Sequence, residues 1–284
     1  MRLRILAAGL GLALSCFSAA TAQTSFDPLS QTISAIETRL DARVGVALIH
    51  SDHSWFHRPD TPVLLTSTAK TLICATVLAQ NDQGLLSLDE HVPILQDDLL
   101  SYAPVSTRHV GGSLSIGDLC LATLDLSDNT AANLLLQRLN GPETVTAFLR
   151  SLGDEVSRLD RMEPALNSPS EDLDTTTPRA MVETLSAIFF SDLLSQDARQ
   201  QLRSWMGKGG VTQNLLREAA PKSWKIWDKS GAGKDSRSLI AVIAPPKGSP
   251  WIAAIYISEA EVDFQTRNAA LRELSAAVVA VLSQ

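Results

Sequence analysis

Past residue 17 this 284-residue sequence has no apolar run long enough to cross a bilayer, and it is poor in cysteine, with three, and in histidine, with five. Only the N-terminus is therefore left as a membrane-directed segment. Met1-Arg2-Leu3-Arg4 is basic, Ile5 to Phe17 is apolar, and Ala20-Thr21-Ala22 places small residues before Gln23. That layout predicts a secretory signal over residues 1–22, a periplasmic or secreted product, and no membrane attachment once the signal is gone. Ala13-Leu14-Ser15-Cys16 offers a lipoprotein-like alternative, with alanine where such a signal would carry leucine. A surplus of positive charge is also missing. Lys and Arg number 24 against 31 Asp and Glu, a net charge of −7, and loss of Arg2 and Arg4 with the signal makes it more negative still. Nucleic acid and anionic membranes are thus not expected as partners. No H-E-x-x-H occurs. His50, His53 and His57 form an H-x2-H-x3-H group where two strands turn and read as surface histidines, while His91 and His109 stand alone, so no metal and no other cofactor is expected. No repeat, low-complexity tract or linker divides the chain, and a monomer is expected.

What is present divides into strands at both ends and helices between. Leu29, Ile33, Ile36 and Leu40 recur at helical spacing, which predicts a helix over 28–41. Val44 to Ile49 is a short apolar run, and a turn at Pro245 to Pro250 joins two more, Leu239–Ala244 and Trp251–Ser258. A helical pattern from Phe264 to Leu282 closes the sequence, with Leu271, Leu274, Val278 and Leu282 on one side. From Ser67 to about Met206 the pattern is helices and loops. The class implied is α/β of the α+β type: an antiparallel sheet built from about 23–63 and 207–284 with flanking helices, and an inserted all-helical part over about 64–206. A cleft between the two parts is the natural place for a pocket.

The chemistry begins at Ser67-Thr68-Ala69-Lys70, where serine and lysine three positions apart share a face of one helical turn. Such a lysine can take or share the hydroxyl proton, and a helix N-terminus favours negative charge on a bound carbonyl oxygen. The plain alternative is a helix cap followed by a solvated lysine. Three further groups follow in order: Ser127-Asp128-Asn129 at the head of the helical run Thr130–Leu139, then Arg161-Met162-Glu163-Pro164-Ala165-Leu166-Asn167, then Lys229-Ser230-Gly231-Ala232-Gly233. Taken singly, these would be a cap, an exposed loop glutamate and a strand with a surface lysine.

Together they resemble the class A serine β-lactamases, most nearly the carbenicillin-hydrolysing penicillinases, and the resemblance covers almost all of residues 23–284. It implies the serine β-lactamase and penicillin-binding fold, small-molecule β-lactam antibiotics as substrates, and a hydrolase that confers antibiotic resistance with a preference for penicillins. It assigns Ser67 as nucleophile, with Lys70 or, through water, Glu163 as proton acceptor. Ser127 would pass a proton to the leaving lactam nitrogen, and Glu163 with Asn167 would hold the deacylating water. Asn129 would hold the substrate amide, Asp128 would be structural, and the N–H groups of Ser67 and Ala232 would take the oxyanion. Lys229, Ser230 and Gly231 would meet the substrate carboxylate, Arg237 would be a second cation there, and Tyr102 would wall the cleft. It further implies a cis bond between Glu163 and Pro164, an Arg161–Asp174 pair closing the loop, and a disulfide between Cys74 and Cys120, for which two buried thiols are the alternative.

Four departures accompany it. Serine stands at 230 where threonine is commoner, lysine at 229 where this subgroup often has arginine, and both the 168–173 segment and the stretch from Gly233 to Arg237 are short. Rival readings are a D-Ala-D-Ala peptidase of the penicillin-binding type and a penicillin sensor that stays acylated. Both normally lack the Glu163 loop and sit on a membrane.

Overall fold

The computed structural model describes residues 25–284; the signal expected at 1–22, with Cys16, lies outside the described residues. In chain order the elements are α1 (Asp27–Leu40), β1 (Arg43–Ile49), β2 (Ser54–His57), β3 (Val63–Leu64), α2 (Ala69–Asp82), β4 (His91–Pro93), β5 (Ser113–Ser115), α3 (Ile116–Asp125), α4 (Asn129–Arg138), α5 (Pro142–Ser151), β6 (Thr175–Thr176), α6 (Pro178–Phe190), α7 (Gln196–Met206), α8 (Leu216–Ala219), β7 (Lys225–Ala232), β8 (Arg237–Ala244), β9 (Trp251–Ser258) and α9 (Phe264–Leu282). Five strands make one antiparallel sheet in the order β2-β1-β9-β8-β7. It joins strands from both ends of the sequence, as expected.

The strands read as unbroken apolar runs because both faces of the sheet are covered. Val44, Val46, Leu48, Leu239, Ala241, Ile243, Ala253, Ile255 and Ile257 point to a core shared with Leu29, Ile33 and Ile36 of α1 and Leu271, Leu274 and Val278 of α9. The alternate set, Ala47, Ile240, Val242, Ile252, Ala254 and Tyr256, joins a second core with α2, α3, α4 and α6. Side chains alternate with period two along a strand, so only a sheet buried on both sides needs apolar residues at every position. α6 abuts this second face closely: a Cβ on Gly45 of β1 would stand 2.8 Å from Pro178 Cγ.

Between the two ends the chain is mainly helical, with two short ladders, β3 with β6 and β4 with β5. The segment 158–177, before α6, is bound to itself by charge. Asp174, fully buried, accepts from the Asp160 and Arg161 N–H groups at 2.8 and 2.9 Å and from Arg161 Nε at 2.5 Å. Arg161 Nη2 reaches the Ser168 carbonyl at 2.7 Å, and Asp160 accepts from Asp174 N at 2.9 Å. The short 168–173 stretch is folded on itself by a Leu173 N–H to Ser170 carbonyl bond, and the Glu163–Pro164 bond is cis.

The disulfide implied for Cys74 on α2 and Cys120 on α3 is not formed in this structure: both are buried free thiols, with Cys74 Sγ 3.8 Å from the Cys120 carbonyl oxygen. Here they pack as small apolar residues of the helical core, and burial, with the neighbouring Cys74 thiol, pushes the Cys120 thiol up.

Candidate active site

Ser67 sits in the 3-10 turn Thr66–Thr68 immediately before α2, and its side chain caps nothing. The plain reading of this serine as a helix cap is thereby set aside. Thr66 takes φ +46, unusual for a β-branched residue, and is held by its hydroxyl bond to the Leu65 carbonyl at 2.7 Å and by the Leu65 N–H bond to the Asp174 carbonyl at 2.8 Å. That turn packs against β7, the edge strand of the sheet. Gly231 permits the approach, since a Cβ there would collide with Thr66 Oγ1 and stand 2.6 Å from Ser238 Oγ and 3.1 Å from the Ser67 nitrogen.

Lys70 lies one turn on, with 1% of its surface exposed. Its Nζ stands 3.1 Å from Ser67 Oγ, 2.8 Å from the Ser127 carbonyl, 2.5 Å from Asn129 Oδ1 and 3.0 Å from Glu163 Oε1. Burial lowers its proton affinity from the ordinary lysine range, while the charge and hydrogen bond of Glu163 and the charge of Asp128 oppose that shift. Ser127, at φ +60 in the turn before α4, is held between two ammonium groups: its Oγ is 3.3 Å from Lys70 Nζ and 3.0 Å from Lys229 Nζ. Lys229 is fully buried on β7, and burial first, then the neighbouring charges of Lys70 and Arg237, push its proton affinity well down.

Glu163 is placed by a neutral frame. Asn133 on α4 accepts from the Glu163 N–H at 2.8 Å and donates to its carbonyl at 2.9 Å, and Asn167 Nδ2 donates to Glu163 Oε2 at 2.5 Å. The Asn167 Oδ1 is buried and takes no hydrogen bond from the protein. Asn133 was not singled out as a site residue in the sequence; its position four residues after Asn129, on the same face of α4, was the available signal.

Asp128 is fully buried and accepts from Val105 N, Ser106 N, Ser106 Oγ and Ala131 N at 2.8–2.9 Å. It caps α4 and pins the loop carrying Tyr102, whose carbonyl takes the Asn129 N–H at 3.0 Å. Asp128→Ala would leave these donors buried without partners, so a loss of about 3 kcal/mol of stability is expected, read as a fall in urea midpoint with an unchanged slope.

Above this buried layer opens a cleft of about 320 Å³. Ser67, Ser127, Asn129, Asn167, Ser230, Gly231, Ala232, Arg237 and Tyr102 all line it, whereas Lys70, Glu163 and Lys229 lie behind its wall. Arg237 is turned toward the strand edge by Gly231, whose carbonyl takes its Nη1 at 2.7 Å, and by Asn268 Oδ1 at 2.9 and 3.1 Å. Burial and the charge of Arg267 bring Arg237 down to about 10, and its guanidinium lies 5.3 Å above the Phe264 ring. Phe264 and Val211 at the cleft, and Asn268 bonded to Arg237, were not anticipated, because only the docking of α9 and of the 207–215 segment brings them there. Neither rival charge nor distance separates the anticipated residues; all twelve meet within this one region.

The arrangement can therefore activate a hydroxyl, bind an anion and position a carboxylate against an ester. Comparison with known proteins agrees. A family model described as the beta-lactamase enzyme family matches residues 28–282. A beta-lactamase of Rhodobacter capsulatus is 48% identical over 98% of this chain and 96% of its own length, and beta-lactamase CARB-4 of Pseudomonas aeruginosa is 40% identical over 92% of each. Among solved structures, a beta lactamase from Xanthomonas campestris superposes with a TM-score of 0.87 at 39% identity, covering 90% of this chain and 98% of that one. A reconstructed last common ancestor of Gram-negative class A beta-lactamases gives 0.86 at 42% identity, covering 89% and 99%. A serine and lysine sharing a hydrogen bond, a lysine-lined second serine and a buried loop glutamate on this fold make the chain a member of the beta-lactamase enzyme family, of class A, and an enzyme that hydrolyses the β-lactam amide bond.

Proposed function

We propose that hydrolysis proceeds through an ester on Ser67 and that penicillins are the preferred substrates. The observation that carries the mechanism is the convergence of Ser67 Oγ and Glu163 Oε1 on the one ammonium of Lys70, at 3.1 and 3.0 Å. Ser67 Oγ bonds to the ring carbonyl carbon, and its proton passes directly to Lys70 or through water to Glu163. The Ser67 N–H and an N–H of the edge strand at Ala232 take the negative oxygen. The carbon–nitrogen bond then breaks, and Ser127, fed from Lys70 and Lys229, protonates the nitrogen. For the second half, Glu163 and the unpaired Asn167 Oδ1 hold a water; its proton goes to Glu163, its oxygen to the ester carbon, and Ser67 Oγ leaves and regains its proton.

Ser230 and Arg237 line one end of the cleft and take the substrate carboxylate, with Lys229 buried behind them. Asn129 takes the side-chain amide, while Tyr102 and Phe264 flank the opening. Gly233 supports the penicillin preference, since a Cβ there would stand 2.8 Å from the Asn167 carbonyl oxygen: strand end and loop are close, with little room for a bulky acyl group. Purified enzyme is expected to turn over benzylpenicillin and carbenicillin with kcat/KM at least about tenfold above that for ceftazidime, a difference of roughly 1.4 kcal/mol in transition-state binding. Equal efficiencies would overturn the preference.

The same reading makes residues 23–284 one catalytic unit, its sheet part at 23–63 and 207–284 and its helical part at 64–206. It is exported to the periplasm or beyond, acts as a monomer and protects its host from penicillins. No helix among the described residues is long and apolar enough to cross a membrane.

A further inference from the structure

At the far end of the sheet, the turn between β1 and β2 gathers three ligand-type side chains. They are His50, Asp52 and His53; His57, the third histidine of the sequence group, faces Glu37 Oε1 at 3.6 Å instead. The turn is closed by the His50 N–H bond to the His53 carbonyl at 2.7 Å. His50 Nε2 lies 3.1 Å from the Ser249 carbonyl oxygen, which can only accept, so this nitrogen carries the proton. The ring is further fixed by stacking on Trp251, with centroids 4.7 Å apart. A neutral His50 so oriented presents its Nδ1 lone pair to Asp52 Oδ1, 2.5 Å away, and His53 Nδ1 approaches the same oxygen at 2.9 Å. Two lone pairs 2.5 Å apart repel, so His50 and Asp52 need a proton or a metal ion between them, while His53 Nδ1 can meet the same oxygen as an N–H donor or turn its lone pair to the ion.

We propose that His50, Asp52 and His53 form a binding site for a single divalent transition ion of the zinc, cobalt and nickel group. Two imidazoles and one carboxylate are the donor set such ions take, and magnesium or calcium would seek oxygen ligands instead. The three ligand atoms lie within 4.8 Å of one another. Around one ion at roughly 2.1 Å neighbouring ligand atoms stand about 3.0–3.4 Å apart, so the 2.5 and 2.9 Å contacts of Asp52 have to open, a movement left to the exposed Asp52 and His53. The Nε2 bond to Ser249 is the outer support that fixes which nitrogen of His50 faces the ion. Solvent completes the coordination on the open side.

This site is remote from the hydrolytic cleft. Ile49 pairs with Ile252, whereas Arg237, in the cleft, pairs with Ile257. Five residues of strand separate the two rows, about 17 Å, with the width of the sheet added. Metal at the turn would tie β1 to β2 and to the Ser249–Trp251 segment, without entering the reaction.

The test uses untagged protein stripped with chelator, titrated with zinc chloride by calorimetry and with cobalt chloride by visible absorption at pH 7.5. One equivalent is expected to bind, with His50→Ala and His53→Ala each weakening affinity by about tenfold or more. His57→Ala and His91→Ala should bind as wild type does, and kcat/KM for benzylpenicillin should be the same in all variants with or without metal. His53 is exposed, so its variant keeps the test open if His50→Ala disturbs the turn. Absence of saturable one-to-one binding, or undiminished binding by His53→Ala in a folded protein, would overturn the proposal.

Discussion

Glu163→Ala is expected to accept benzylpenicillin and fail to release it. Acylation needs Ser67 and a proton acceptor, and Lys70 Nζ remains 3.1 Å from the hydroxyl. Deacylation needs a held water, and among the described residues no carboxylate other than Glu163 bonds to Lys70 or Asn167. Mass spectrometry should find a persistent gain of one penicilloyl group on Ser67, with steady-state turnover down by about 10³-fold or more. Removing the carboxylate also leaves Lys70 without its ion-pair partner in a buried site, which can cost several kcal/mol of stability. Glu163→Gln keeps the shape and the Asn167 contact, and serves where the alanine variant folds poorly. If wild type holds its adduct as long as either variant, the chain is a penicillin sensor and the role given to Glu163 is wrong.

Ser67→Ala is expected to remove turnover and adduct together while leaving the fold in place. The hydroxyl caps no helix and bonds only to Lys70, so its loss should move the thermal midpoint by no more than a few degrees. Turnover should fall by about 10³-fold or more, to what the cleft achieves by binding alone. Hydrolysis near the wild-type rate by folded Ser67→Ala would exclude a serine ester.

Much of the fold could be read in the sequence where local pattern and tertiary burial agree. The α9 run from Phe264 to Leu282 has its apolar side at Leu271, Leu274 and Val278 and an Asp263 cap, and it begins and ends where the periodicity does. β7 was legible only from Lys229 onward. Its first half carries Asp228, a buried charge that masks a strand and is tolerated because Arg217 and Thr212 bond to it at 2.7–2.9 Å. β3 with β6 and β4 with β5 are too short to show a period of two. The groups around Ser67 were visible because resemblance fixed their order and spacing. Asn133, Asn268 and Phe264 were not, since each acts through a partner distant in sequence. The cysteines were placed correctly side by side, but neither composition nor compartment determines whether neighbouring thiols are joined.

The place of β9 in the sheet bears on how the polypeptide comes into being. β9 is the sheet's central strand and pairs with β1 across about two hundred residues, from Arg43↔Ser258 to Ile49↔Ile252. Until residues 251–258 have left the ribosome, β1 can pair only with β2, and α1 has no α9 to pack against. A two-stranded hairpin is marginal by itself, so the growing polypeptide cannot complete its core during synthesis. Translation and final folding are therefore separated in time, and the sheet can close only once β9 has been made.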